Sequence, residues 1–270
     1  MKLLFASLLL ITGCGGTTGS ALVTFSGEAS GPSDVTGGPL SFTTGIGADV
    51  TLSKAELHLG AVYWNQSVPS SGAAAGPCVS QGTYVAELFG GLDVDLLSSS
   101  AVPFPNAGEG TETRARTAEV WLVGGGTNAN GEVSQGDVNT SDDSTVILAV
   151  EGTAVQAGST YPFTAAVTIG ANRTPNVTNP AMPGARPICH QRIVTPILVD
   201  LTPGNGGTLT LQIDPRPMFD AVDFSKATPV SSEPPLYQIP DTSDGPGGAL
   251  FKGLTANFGV YAFGFREPGQ

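Results

Sequence analysis

The chain has 270 residues and carries 23 Asp plus Glu against 11 Lys plus Arg, a net charge of −12. A field of that sign repels phosphate backbones and anionic headgroups, which excludes nucleic acid as a partner. With 37 Gly and 21 Pro, about a fifth of the chain, long helices are excluded, and 40% hydrophobic residues with only 13% charged exclude intrinsic disorder.

Met1 and Lys2 make a short positive start to an apolar run, residues 3–11 (LLFASLLLI), that is too short to cross a bilayer as a permanent helix. This reads as a cleavable export signal, residues 1–13. It runs into Ile11, Thr12, Gly13 and Cys14, an apolar residue and two small ones before a cysteine, which resembles the bacterial lipobox. The resemblance covers residues 1–14. It implies that Cys14 accepts a diacylglycerol, becomes the N-terminus after cleavage, and is an acylated (palmitate-type) anchor. Each buried CH₂ adds about 0.8 kcal/mol, so several chains hold a protein to a membrane where one does not. Gly15 is not the Asp that favours inner-membrane retention in enteric lipoproteins resembling this one. The expected address is therefore the outer membrane, lipid-anchored, facing the periplasm or the cell surface. Cleavage removes Lys2 and takes the charge from −12 to −13. After Cys14, residues 15–20 (GGTTGS) read as a flexible tether, and 21–270 as one domain.

In residues 21–29, Val23 and Phe25 alternate with Leu22 and Thr24, the period of a half-buried strand. Residues 49–64 (DVTLSKAELHLGAVYW) begin in the phase of Val50 and Leu52 and switch to that of Ala55, Leu57 and Leu59, which predicts a bulge near Ser53 and Lys54. Further strands are predicted at 83–89, 92–97, 112–123, 145–155, 160–170, 191–201, 207–214 and 254–266, nearly all separated by Gly, Pro, Asn or Asp. About ten such strands predict an all-β, antiparallel sandwich. One short helix is expected after Asp214, with Met218, Phe219 and Val222 inward. Residues 124–144, 172–187 and 228–248 read as long loops. The runs AELHLGAVYW, LDVDLL and GTLTLQIDP resemble, in broad pattern, segments of predicted bacterial surface lipoproteins with sandwich domains of unknown function. That resemblance covers about half the chain and implies no catalytic residue.

With Cys14 lipidated, Cys78 and Cys189 are an even pair in an oxidising compartment, and a disulfide is expected. Closing a loop of about 110 residues stabilises by up to roughly 4 to 5 kcal/mol in the chain-entropy model. The rival reading gathers Cys78, Cys189, His58 and His190 into a copper or zinc site, but no ligand spacing supports it. His58 reads as a half-exposed strand residue. A second metal candidate is calcium in the loop that holds Asn128, Asn130, Glu132, Asp137, Asn139, Asp142 and Asp143, whose oxygens suit a cation taking six to eight ligands. The simpler account is a solvated acidic loop. Asp241, Ser243 and Asp244 form a smaller cluster of the same kind.

No nucleophile elbow, zinc-protease helix, P-loop or dinucleotide fingerprint occurs in the sequence. Trp64, Trp121, Tyr84 and Tyr237 are candidates to stack on sugar rings, although a Trp in an alternating strand such as Trp121 usually faces a core. The sequence thus predicts a membrane-anchored envelope lipoprotein acting as a non-catalytic binding or structural module, with an envelope protein or glycan as partner. The alternatives are a calcium-, copper- or zinc-binding envelope protein, and a glycan hydrolase.

Overall fold

The structure, a computed structural model, describes residues 20–67, 83–122, 126–127, 133–134, 143–169 and 193–269. Its strands are β1 (Leu22–Ser30), β2 (Leu40–Thr43), β3 (Asp49–Asn65), β4 (Tyr84–Asp95), β5 (Val102–Pro103), β6 (Gly108–Thr111), β7 (Ala115–Trp121), β8 (Gly126–Thr127), β9 (Val133–Ser134), β10 (Asp143–Gln156), β11 (Ser159–Ile169), β12 (Ile193–Leu201), β13 (Thr208–Ile213), β14 (Thr228–Ser232), β15 (Pro235–Gln238) and β16 (Tyr261–Arg266). The fold is all-β, as the alternation predicts. One α-helix, α1 (Gly245–Leu254), and two 3-10 turns, Arg216–Phe219 and Phe224–Lys226, complete the described elements.

The bulge predicted in the long second strand lies at Ser53. On β10, Glu151 pairs with Lys54 and the next residue, Gly152, pairs with Leu52, so Ser53 has no partner. Its hydroxyl donates to the Glu151 carbonyl at 3.2 Å. The extra residue changes which parity faces the core, and Val50, Leu52, Ala55, Leu57 and Leu59 are all buried despite the phase switch. The turn after Asp214 also forms where expected, with Met218, Phe219 and Val222 fully buried.

The purely antiparallel arrangement is corrected. β1 pairs with β13 in parallel, and so does β11 with β15. The hydrogen bonds run in one unbroken path, β14-β15-β11-β10-β3-β4-β6-β1-β13-β16, with β2, β5, β7 and β12 attached off it. β1 carries the path over the core: Leu22 to Phe25 pair with β6, and Ser26 to Ser30 with β13. The far end of the path then meets its middle, with the Phe263 ring of β16 edge-on to Trp64 of β3 at 5.8 Å and Phe25 of β1 at 6.0 Å from the same indole.

Two further expectations change. Segments 83–89 and 92–97 join into the single strand β4. Residues 228–248 hold two strands and the start of α1, and α1 replaces the first residue of the strand expected at 254–266, which begins only at Tyr261. α1 (GPGGALFKGL) escapes a sequence reading because each glycine costs a helix about 1 kcal/mol. Packing compensates: Leu250 and Leu254 are fully buried, and a Cβ on Gly253 would lie 2.2 Å from the Met218 carbonyl oxygen. Only glycine lets the helix approach the 3-10 turn so closely.

Trp64 fills the centre of this core, fully buried between β1 and β16. Trp64→Ala is expected to lower unfolding free energy by about 3 to 5 kcal/mol, the usual cost of emptying a buried aromatic site. Urea unfolding followed by circular dichroism checks this, and a loss below about 1 kcal/mol would contradict the central placement.

Candidate functional site

From Gly60 to Asn65, every residue of β3 is buried. Val62 and Trp64 enter the main core, while Ala61 and Tyr63 join a separate cluster with Trp121 and Ile193, against which Phe89 packs. Trp121 is therefore buried as the sequence suggested, but on the side of β7 away from Val120 and Leu122.

The register of this region lines up chemically distinct side chains. On β1 and β6, Thr24 is opposite Glu109. Glu109 is opposite Glu87 of β4, Glu87 is opposite Tyr63 of β3, and Tyr63 is opposite Glu119 of β7. Directly paired residues share a face, so Thr24, Glu109, Glu87, Tyr63 and Glu119 form one row across five neighbouring strands. An unpaired residue at Val85, between the Trp64–Ala86 and Asn65–Tyr84 pairs, puts Tyr84 on this same face.

The inner end of the row is buried, and its carboxylate is well bonded. The Glu119 carboxylate is fully buried and accepts from Asn65 Nδ2 at 3.2 Å, Tyr84 Oη at 3.3 Å and Trp121 Nε1 at 3.3 Å. Tyr63 lies among three rings, Tyr84, Phe89 and Trp121, with centroids 5.4, 5.7 and 5.3 Å away. Burial pushes its hydroxyl well above the ordinary tyrosine range, and the Glu87 and Glu119 charges push it in the same direction. Its Oη and the Asn65 Oδ1 are buried without a hydrogen-bond partner.

The outer end opens into a groove of about 540 Å³ between β1, β6 and β4. Leu22, 86% exposed, and Tyr84, 41% exposed, are apolar elements of its lining, and Glu87, Glu109 and Asn205 supply polar ones. Gly110 lines it as well: a Cβ there would meet Ala86 Cβ and the Val85 carbonyl oxygen, both at 2.6 Å. Partial burial raises the Glu87 carboxyl above its ordinary range, and the Glu109 carboxylate opposite raises it further. Among the described ion pairs, none engages Glu87 or Glu109.

The sequence drew attention elsewhere. Cys14, Cys78, Cys189 and His190 lie outside the described residues, as do Asn128, Asn130, Glu132, Asp137, Asn139 and Asp142; Asp143 is placed only as the first residue of β10. His58 is half-buried, as expected, and its Nδ1 is 2.7 Å from Asp93 Oδ1. No group of three or more His, Cys, Asp or Glu side chains positioned for a metal occurs among the described residues, nor any helix long and apolar enough to cross a membrane. Of the four candidate stacking rings, Trp64 and Trp121 are buried, and Tyr84 reaches the groove. Tyr237 is half-buried on β15, 5.2 Å from Tyr161. Sequence reasoning missed Glu87, Glu109 and Glu119. A usable signal was present for one of them: Glu119 interrupts an apolar strand in phase with Trp121.

No family model matches the chain, and no curated protein or solved structure does so either.

The Glu87 to Glu109 contact makes a pH-dependent prediction. A carboxyl raised in the folded state binds its proton more tightly there, so stability falls as pH rises from the ordinary glutamate range, about 4.3, through the raised value. Glu87→Gln is expected to raise the melting temperature at pH 7 by about 2 to 4 °C, since like charges opposite each other cost up to about 1 kcal/mol. The gain should disappear below about pH 4, where both proteins are neutral at this position. Calorimetry across that range checks it.

Proposed function

We propose that the chain is a lipid-anchored envelope module that binds a ligand, without chemical turnover, in the groove between β1, β6 and β4. The observation that carries this reading is the groove itself, where two carboxylates without a basic partner among the described ion pairs stand beside exposed apolar side chains. A solvated surface pairs or disperses such charges, whereas a binding surface holds them for a complement. The position of the groove fits an anchored protein. β1 begins at its rim, and the Thr113 hydroxyl donates to Ser20 Oγ at 2.7 Å where the tether meets the domain. The six residues 15–20 span at most about 20 Å, so a Cys14 anchor keeps the groove near the membrane surface.

A second reading has one observation in its favour. Glu87 and Glu109 are on adjacent strands with Cβ atoms about 5 Å apart. Retaining glycosidases hold two carboxyl groups about 5 to 5.5 Å apart, one with a raised pKa, a spacing that glutamate side chains on adjacent strands can adopt. A glycan hydrolase is thus the catalytic alternative, with Glu87 as acid and Glu109 as nucleophile. Against it, Glu109 is exposed, where a nucleophile gains little from a water-excluded site.

Two measurements test the proposal. Cys14→Ala is expected to move the protein from the membrane to the soluble fraction after a high-salt wash, and retention would contradict the anchor. Separately, fractionated envelope material (soluble peptidoglycan fragments, outer-membrane vesicles, periplasmic peptides) is expected to raise the melting temperature of the wild type but not of Thr111→Arg, which fills the groove. No fraction acting through the groove would contradict the binding reading. Release of reducing sugar, lost in Glu87→Gln, would replace it with the hydrolase.

A further inference from the structure

Among the described residues, the three most exposed large hydrophobic side chains are Leu22 at 86%, Phe258 at 80% and Leu198 at 75%. Single exposed apolar residues are ordinary on a protein surface, so their positions have to separate them. Phe258 lies in the loop between α1 and β16, and Leu198 is on β12, five strands from β1 by way of β7, β3, β4 and β6. Leu22 opens β1, two residues after Ser20. The outward positions of β1 are Leu22, Thr24, Ser26 and Glu28, and only the first is apolar. The chain is fixed right up to it. Leu22 pairs with Thr111, the Glu112 N–H donates to the Ala21 carbonyl at 2.8 Å, and the Thr113 hydroxyl donates to Ser20 Oγ at 2.7 Å.

We infer that the rim formed by Leu22 and Tyr84 docks on the surface of a zwitterionic bilayer, with the Leu22 side chain among the upper acyl carbons. The inference rests on the proposed Cys14 anchor and adds which face of the domain meets the lipid. The tether selects this occupant. Residues 15–20 span at most about 20 Å, and the chain becomes fixed two residues before Leu22, so an anchored Cys14 brings this rim to the membrane first. Leu198 is five strand spacings, about 24 Å along the sheet, further off. Tyr84 lines the same groove with an exposed ring, and a ring beside an aliphatic side chain suits the headgroup boundary. Charge selects the kind of lipid. Glu109 and Glu112 are exposed beside the rim, and with a net charge of −12 they repel an anionic surface but accept the ammonium of a phosphatidylethanolamine headgroup.

The test uses the full mature chain, purified from membranes and reconstituted into phosphatidylethanolamine and phosphatidylcholine vesicles whose acyl chains carry bromine, a contact quencher of tryptophan. Trp64 and Trp121 are buried, and their emission is subtracted as the wild-type background. Leu22→Trp is expected to lose at least half of its added emission to the bromines, and Phe258→Trp and Leu198→Trp less than about a tenth. All three substitutions are at exposed positions and leave the core untouched. Duplicating residues 15–20 doubles the tether, and the Leu22→Trp loss should stay at half or more. A fall to the level of the other two positions would mean that tether length alone brings Leu22 to the lipid, and would overturn the docking. Equal quenching at all three positions would overturn it as well, and so would none at Leu22→Trp, the result a protein partner on this rim predicts. Stronger quenching in phosphatidylglycerol vesicles would overturn the choice of lipid. Mass spectrometry of the purified chain separates this inference from the reading beneath it. Without acyl groups on Cys14 the anchor falls and the docking with it; with them, and no quenching at Leu22→Trp, the anchored module stands and the docking face alone falls.

Discussion

Burial of β3 on both faces from Gly60 to Asn65 is the constraint from which the rest follows. One side of that stretch places Trp64 where β1 and β16 close over the sheet, and the other holds Tyr63 and Asn65 against β4 and β7. A strand with no solvated side must satisfy its polar groups locally. On the second face Glu119 accepts from Asn65 Nδ2 and the Trp121 indole, while Trp64 Nε1 on the core side has no partner among the described residues. Tyr63 Oη and Asn65 Oδ1 are left over. The polar row is thus a consequence of a core strand that is covered on its second face by aromatic and acidic side chains.

Register converts that local fact into a site. Because Glu109, Glu87, Tyr63 and Glu119 are consecutive cross-strand partners, a slip of one residue in any ladder would scatter them to opposite faces. The unpaired Val85 brings Tyr84 to the same side, and Gly110 keeps β6 close to β4. Two like charges held opposite each other oppose folding. The alternation of the neighbouring strands does not require an acid at either position, which is the physical reason to assign the pair a role in binding.

Much of the fold was legible in the sequence because strand burial is a local signal. The switch from Val50 and Leu52 to Ala55 and Leu57 located a bulge within one residue, and Met218, Phe219 and Val222 marked a turn that forms. The parallel pairs β1 with β13 and β11 with β15 were not legible, since pairing between strands far apart in sequence leaves no local trace. α1 was hidden by its glycines, which tertiary contacts with Met218 overrule. The site failed for the same reason as the pairing: Glu87 and Glu109 are 22 positions apart, and only the register makes them neighbours. Cysteine and histidine arithmetic pointed to positions outside the described residues, so the sequence's sharpest chemical question and the sheet's clearest polar feature concern different parts of the chain.

The account turns on Glu87 being partly buried and facing a second carboxylate, Glu109, that has no basic partner among the described ion pairs. Carbon-13 NMR titration of the Glu87 carboxyl reads this directly. The expected midpoint lies above the ordinary glutamate value of about 4.3 and moves downward, without returning fully, in Glu109→Gln, because desolvation is the larger cause and the opposing charge the smaller. A midpoint at or below about 4.3, or one indifferent to Glu109→Gln, would mean that the two carboxylates do not share a face and that the groove holds no unmet charge.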